Sequence, residues 1–182
     1  MTQPNILTAR ALGIKLVACD IDGTLTDGTL YFAGSGELCK GFSVRDGLGL
    51  VLLREAGIKL VVITGRSSDI VQTRANDLRF DACLQGVKNK RIALEEICSQ
   101  FGLSVSQAAM IGDDWPDLPA MAVCGLAVAV ANASPPVLAA SHWRSTAQPG
   151  NGAVREFAEW LLKEQGLFDA ALARHTNPGT LQ

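Results

Sequence analysis

Four short apolar runs, each ending at a polar or acidic residue, constrain this chain more than anything else in it. Leu16-Val17-Ala18-Cys19 runs into Asp20, and Leu60-Val61-Val62-Ile63 into Thr64-Gly65-Arg66. Ala108-Ala109-Met110-Ile111 runs into Gly112-Asp113-Asp114, and Leu126-Ala127-Val128-Ala129-Val130 ends at Asn132. A weaker run, Ala82-Cys83-Leu84, precedes Gln85-Gly86. Near-continuous apolar runs of this length read as strands buried on both faces. Helical patterns separate them. Leu48, Val51, Leu52 and Glu55 share a face ahead of Gly57; Ser68 to Leu78 is a second helix with Ser67 or Ser68 as N-cap. Lys90 to Phe101 is a third, with Ile92, Leu94, Ile97 and Phe101 apolar and Gly102 behind it. Strands alternating with helices predict an α/β fold, a doubly wound parallel sheet flanked by helices. One segment breaks the alternation: Thr29 to Phe32, a Gly-rich turn over Ala33 to Glu37, and Leu38 to Ser43 read as a β-hairpin where the fold calls for a helix.

The 182 residues, 48% of them hydrophobic, suffice for the core of one domain spanning the whole chain. Its core is expected over about 15–168, with 169–182 a flexible polar tail. The formal net charge of −2 lacks the basic balance of a nucleic-acid or anionic-membrane binder. Five scattered cysteines with no CxxC pair argue against a disulfide framework or zinc ribbon, and fit a reducing compartment as buried small apolar residues. Met1 to Asn5 lacks the basic and apolar regions of a signal peptide, and the stretch from Ala120 to Ala131 is too short to span a bilayer. The expectation is a cytoplasmic protein with no membrane or nucleic-acid partner. His142 and His175 have no partner at ligand spacing for zinc.

In an open α/β sheet, ligands bind beyond the carboxyl ends of the strands. Those ends carry Asp20 and Asp22, then Thr64, then Asp113, Asp114 and Asp117, while Lys90 opens the helix after the weak strand. Taken singly, each has an ordinary explanation as a turn residue, a helix cap or a solvated lysine. Their joint occurrence in order at successive strand ends does not. Carboxylates converging on one crevice repel one another unless a cation intervenes. Mg²⁺ favours one or two carboxylates plus phosphate oxygens, so the implied substrate is a phosphate.

Asp20-Ile21-Asp22-Gly23-Thr24-Leu25-Thr26-Asp27-Gly28 resembles the first motif of the haloacid dehalogenase superfamily phosphatases. Ile63-Thr64-Gly65-Arg66 resembles the second, Lys90 the third, and Gly112-Asp113-Asp114 with Asp117 the fourth. Asp27-Gly28, Phe42-Ser43-Val44-Arg45-Asp46-Gly47, Gln85-Gly86 ahead of Lys90, and Gly152-Ala153-Val154-Arg155-Glu156 are similar, more narrowly, to the 3-deoxy-D-manno-octulosonate 8-phosphate phosphatase family. The likeness runs from about Lys15 to Phe168.

The resemblance implies a Rossmann-like fold and hydrolysis of a sugar-acid phosphate through an aspartyl-phosphate, in lipopolysaccharide precursor synthesis. A related nine-carbon ulosonic acid phosphate is the alternative substrate. Asp20 would be the nucleophile and Asp22 the general acid and base; Thr64 and Lys90 would hold the phosphoryl group. Mg²⁺ would be held by the Asp20 and Asp113 carboxylates and the Asp22 carbonyl, with Asp114 and Asp117 orienting Lys90 or metal-bound water. Gly65, Arg66 and Arg45 join Thr64 and Lys90 as candidate substrate contacts, the arginines for a carboxylate or phosphate. Eighteen positions from Gly28 to Asp46 and 26 from Thr64 to Lys90 leave no room for a cap domain. A capless site is open to water, and the resemblance implies that the hairpin flap joins a homotetramer whose neighbours help close it.

A phosphoacceptor receiver module would also gather strand-end aspartates, a Thr and a Lys. Receivers carry an adjacent acidic pair on the first strand and the phosphorylated Asp on a later one; here the first strand ends in Asp20-x-Asp22 and the later one in Thr64. A calcium loop would need a third ligand and central Gly that Asp20 to Leu25 lacks.

Overall fold

The apolar runs become strands that pair side by side in one parallel sheet. The computed structural model describes residues 6–34 and 36–176. In chain order its elements are α1 (Ile6–Gly13), β1 (Leu16–Cys19), β2 (Tyr31–Ala33), β3 (Gly36–Cys39), α2 (Val44–Glu55), β4 (Lys59–Ile63), α3 (Asp69–Asp77) and β5 (Ala82–Leu84). There follow α4 (Lys90–Gln100), β6 (Ala108–Gly112), α5 (Leu118–Met121), β7 (Leu126–Ala129), α6 (Pro135–Ala140), β8 (Trp143–Arg144), α7 (Ala153–Glu164) and α8 (Phe168–Thr176). The six-stranded sheet has the order β5-β4-β1-β6-β7-β8, and every neighbouring pair is parallel. The chain winds outward from β1 to β4 and β5, then returns across the sheet to β6. That reversal beside β1 is a switch point, where connections diverge and leave a crevice beyond the strand ends.

β1 is buried along its whole length, as its four apolar residues require of a central strand. At the far edge Trp143, Phe157 and Trp160 pack with ring centroids 5.4 to 5.9 Å apart. The doubly wound α/β architecture is as expected, and helices flank the sheet. α1, α5, α6, α7 and β8 are additions to the elements expected from the sequence.

Two helix faces differ from the periodic reading. In α2 Leu48 faces solvent, and the buried positions are Asp46, Gly47, Gly49, Leu50, Leu52 and Leu53. The cause is close packing on α7: a Cβ at Gly49 would come within 2.9 Å of the Arg155 Cα. The Asp46 carboxylate also accepts the backbone N–H groups of Gly152 (3.0 Å) and Arg155 (2.8 Å), tying the start of α2 to that of α7. In α4 Ile92 is exposed, because Lys90, Leu94 and Ile97 set the inward face and Lys90 belongs to the crevice.

The hairpin is shorter than expected, and Leu30, Tyr31, Phe32 and Leu38 all lie exposed on this single chain. The stretch 169–182, expected to be a flexible tail, is helical in α8 as far as Thr176; the remaining positions 177–182 lie outside the described residues. Cys39 is exposed and Cys83 half-buried, so only Cys19, Cys98 and Cys124 are the buried apolar residues expected.

Candidate active site

Asp20 follows β1 and is held there by its own backbone N–H, which donates to the Ile111 carbonyl of β6 at 3.0 Å. Its buried carboxylate accepts from the Lys90 ammonium at 2.6 Å. The same ammonium donates to Asp117 at 2.6 Å, and the Lys90 side chain is 5% exposed. Burial alone would push the Lys90 proton off, but the two carboxylates outweigh it and raise its pKa. Lys90 therefore stands as a fixed cation on the crevice floor.

Asp117 uses its second oxygen to accept the backbone N–H groups of Asp113 (3.0 Å) and Asp114 (3.2 Å). It thereby folds the turn after β6 so that Asp113 faces Asp20. No side chain fits at Gly112 beneath this turn, because a Cβ there would lie 2.3 Å from the Asp117 carboxylate. Gly23 meets the same limit: a Cβ would lie 2.2 Å from Asp113, and its φ of +92° favours glycine in any case. The Thr24 hydroxyl donates to Asp113 at 3.3 Å. The two loops after β1 and β6 are in van der Waals contact, with glycines making that approach possible.

Carboxylate oxygens of Asp20, Asp113 and Asp117 lie within 4.8 Å of one another. Burial, then repulsion from Asp20 and Asp117, pushes the Asp113 pKa up to about 7. Burial likewise raises Asp20, against the opposing pull of Lys90. Three acids thus share one lysine, and the cluster lacks positive charge. Hard oxygen donors in that condition suit Mg²⁺, so the residues fit the cofactor expected from the sequence. Asp117 has both oxygens engaged with Lys90 and the turn, which leaves Asp20 and Asp113 as the carboxylates open to a cation. The Asp22 side chain stays out of the cluster, leaving its backbone carbonyl as the group it can offer.

The crevice is a cavity of about 220 Å³ lined by Asp20, Asp22, Thr64, Gly65, Arg66, Lys90, Asp113, Asp114, Pro116 and Asp117. It gathers every candidate site residue but one. Arg45 lines a different cavity with Asp27, Tyr31 and Asn151, because the buried Asp46 beside it turns Arg45 outward at the start of α2. Trp115, next to Pro116, is 66% exposed and is not among the lining residues. Lys40, which carries no motif, proves to be an unforeseen neighbour of the site: its ammonium pairs with the Asp22 carboxylate. Arg66 approaches the other Asp22 oxygen at 3.5 Å.

The model of the haloacid dehalogenase-like hydrolase family matches residues 37–125. The 3-deoxy-D-manno-octulosonate 8-phosphate phosphatase of Yersinia pestis is 40% identical over 162 residues, 89% of this chain and 87% of that protein. Its counterpart in Haemophilus influenzae is 43% identical, over 87% of this chain and 89% of its own. The crystal structure of the Moraxella catarrhalis enzyme, in complex with magnesium ion, phosphate ion and KDO, superposes with a TM-score of 0.91 at 41% identity, covering 96% of this chain and 100% of the other. No helix among the described residues is long and apolar enough to cross a membrane. The crevice with its acidic cluster, and likeness over nearly the full length of both chains, place this protein among the haloacid dehalogenase-like hydrolases, in the 3-deoxy-D-manno-octulosonate 8-phosphate phosphatase family.

Proposed function

We propose that this phosphatase hydrolyses 3-deoxy-D-manno-octulosonate 8-phosphate to KDO and inorganic phosphate, with Mg²⁺, through an aspartyl-phosphate on Asp20. The observation that carries the reading is the Asp20–Lys90–Asp117 array on the crevice floor, in a chain 41% identical to an enzyme crystallised with magnesium ion, phosphate ion and KDO. Asp20 attacks phosphorus while Lys90, 2.6 Å away, offsets the charge gathering on the reacting oxygens. Thr64 and Gly65 line the cavity as donors to the phosphoryl oxygens. Asp22 gives a proton to the departing alcohol oxygen. It then takes one from the water that attacks phosphorus and releases phosphate from Asp20. Asp20, Asp113 and the Asp22 carbonyl are the groups to hold Mg²⁺, whose charge lets an anionic carboxylate approach an anionic phosphate.

Arg66, 44% exposed at the cavity mouth, is the cation available for the substrate's carboxylate. Arg45 cannot share that task within one chain as the cavities stand. We place it, with the exposed hairpin, at the contacts of a homotetramer; sedimentation of the full chain tests the assembly. Cytoplasmic synthesis of lipopolysaccharide precursors is the setting that this substrate implies.

Phosphate release from a panel of sugar phosphates, with Mg²⁺ and with excess chelator, tests the reading. The highest kcat/KM is expected for 3-deoxy-D-manno-octulosonate 8-phosphate, and none of the activity survives the chelator. A nine-carbon ulosonic acid phosphate turned over faster would transfer the assignment to that substrate. Full activity without metal would remove Mg²⁺ from the mechanism.

A further inference from the structure

Lys40 sits just beyond β3, at the base of a hairpin whose neighbouring residues Leu38 and Cys39 face solvent, yet its side chain is only 1% exposed. A lysine taken out of water needs carboxylate partners. It has two: Asp22 Oδ1, and Glu37 Oε1 at 2.9 Å. Glu37 in turn accepts from the Ser68 hydroxyl at 2.5 Å and from Arg66 at 3.5 Å. The hairpin is thus fastened to the loop after β1 and to the start of α3 through one charged cluster.

We propose that Lys40 is a positioning residue of the phosphatase, which fixes the Asp22 carboxylate by Oδ1 so that Oδ2 meets the leaving alcohol; this rests on the reading of Asp22 as acid and base. The two cations on Asp22 differ in freedom. Lys40 is buried and held at a second point by Glu37, and it does not line the cavity. Arg66 lies 3.5 Å from Oδ2, is 44% exposed, and lines the cavity. An anionic substrate draws Arg66 to itself and frees Oδ2, whereas Lys40 stays on Oδ1. The carboxylate then has one defined oxygen and one defined rotamer for proton transfer, and positioning of this kind governs general acid catalysis.

The chemistry supplies a test that a merely structural lysine would not pass. When the bridging O–P bond of an alkyl phosphate breaks, its electron pair goes to an alkoxide oxygen that needs the Asp22 proton. A p-nitrophenolate leaves as a stable anion and needs none. The rate of alcohol or phenol release in the first turnover is therefore measured with Mg²⁺ for an alkyl sugar phosphate and for p-nitrophenyl phosphate, in Lys40→Met, Lys40→Arg and Asp22→Asn. Lys40→Met is expected to slow the alkyl ester about 100-fold and the aryl ester less than about threefold, with Lys40→Arg regaining much of the loss. Equal losses on both esters, or no loss on either, overturn the role of Lys40 while leaving Asp22 in place. Equal losses in Asp22→Asn would instead refute the reading of Asp22, and the proposal with it. Should circular dichroism show Lys40→Met unfolded, Glu37→Leu decides. It leaves Lys40 held at one point only, and a loss confined to the alkyl ester supports the proposal, whereas an equal or absent loss overturns it.

Discussion

Two lysines pair with two aspartates of this crevice, Lys90 with Asp20 and Lys40 with Asp22, and the protein treats the pairs differently. On the floor, Lys90 is wedged between Asp20 and Asp117, on elements that the central sheet holds in place. At the rim, Lys40 reaches Asp22 from a two-stranded hairpin that makes no strand pairing with the main sheet. The floor must present a nucleophile to phosphorus in one geometry, so every group there is braced from more than one side. The rim must admit a substrate, and there half-exposed Arg66 lines the cavity, with the hairpin fastened behind it through Glu37 and Lys40. The floor is thus built on the central sheet, and the rim on a hairpin outside it.

The strongest blow to this contrast comes from Asp20→Asn. The amide keeps the shape and the fold but is a poor nucleophile, and phosphate release should fall at least about 1,000-fold. A variant retaining more than about a tenth of the rate would take the nucleophile away from the floor.

Lys90→Met comes next, because it leaves Asp20 and Asp117 buried without their cation. Denaturant titration at pH 8 should show a loss of about 3 kcal/mol. The loss should shrink at pH 5, where the raised Asp20 carboxyl carries its own proton. Equal losses at both pH values would mean that the ion pairs do not brace the floor.

A matched pair of glycines sharpens the comparison further. Gly23 and Gly36 both have positive φ, but a Cβ at Gly23 collides with Asp113 whereas one at Gly36 meets nothing within 4 Å. Gly23→Ala should raise the Mg²⁺ concentration for half-maximal rate about tenfold or more, since a displaced Asp113 is a lost ligand. Gly36→Ala, strained by its φ of +117° alone, should cost about 1–3 kcal/mol of stability and leave that concentration alone. Similar Mg²⁺ requirements in the two variants would erase the distinction between floor and flap.

The smallest effect is on pH dependence. Burial and the neighbouring Asp20 and Asp117 push the Asp113 carboxyl up from 3.8 to about 7 in the folded, metal-free chain. The folded state holds this proton between those values, so metal-free stability falls as pH rises from about 4 to 7. Mg²⁺ competes with the same proton. Its affinity, read from the shift in Tm, should be about tenfold weaker at pH 6 than at 8 and level off above 7. A flat profile would show that Asp113 is not the group the cation displaces.

The floor was legible in the sequence and the rim was not, for a physical reason. Asp20, Thr64 and Asp113 each end a buried apolar run, so period and position betray them without any knowledge of the fold. Lys90 is legible because it opens a helix at the same end of the sheet. Lys40 belongs to no periodic pattern; its burial follows from where Glu37 and Asp22 happen to lie once the hairpin folds back. Arg45 shows the converse, a motif residue that Asp46 turns away from the crevice by stapling α2 to α7. β8 has two residues and α6 six, lengths at which hydrophobic pattern carries no signal.

The placement of β1 between β4 and β6 also sets when the chain becomes an enzyme. Asp20 meets Lys90 across 70 residues, and Thr24 meets Asp113 across 89, so completing the site needs contacts that are distant in sequence. Both flanks of β1 must have zipped before these groups meet, and such loops are late and slow to close. During refolding, recovery of phosphate release should therefore trail the return of helix signal, and a turnover assay counts finished molecules rather than collapsed ones.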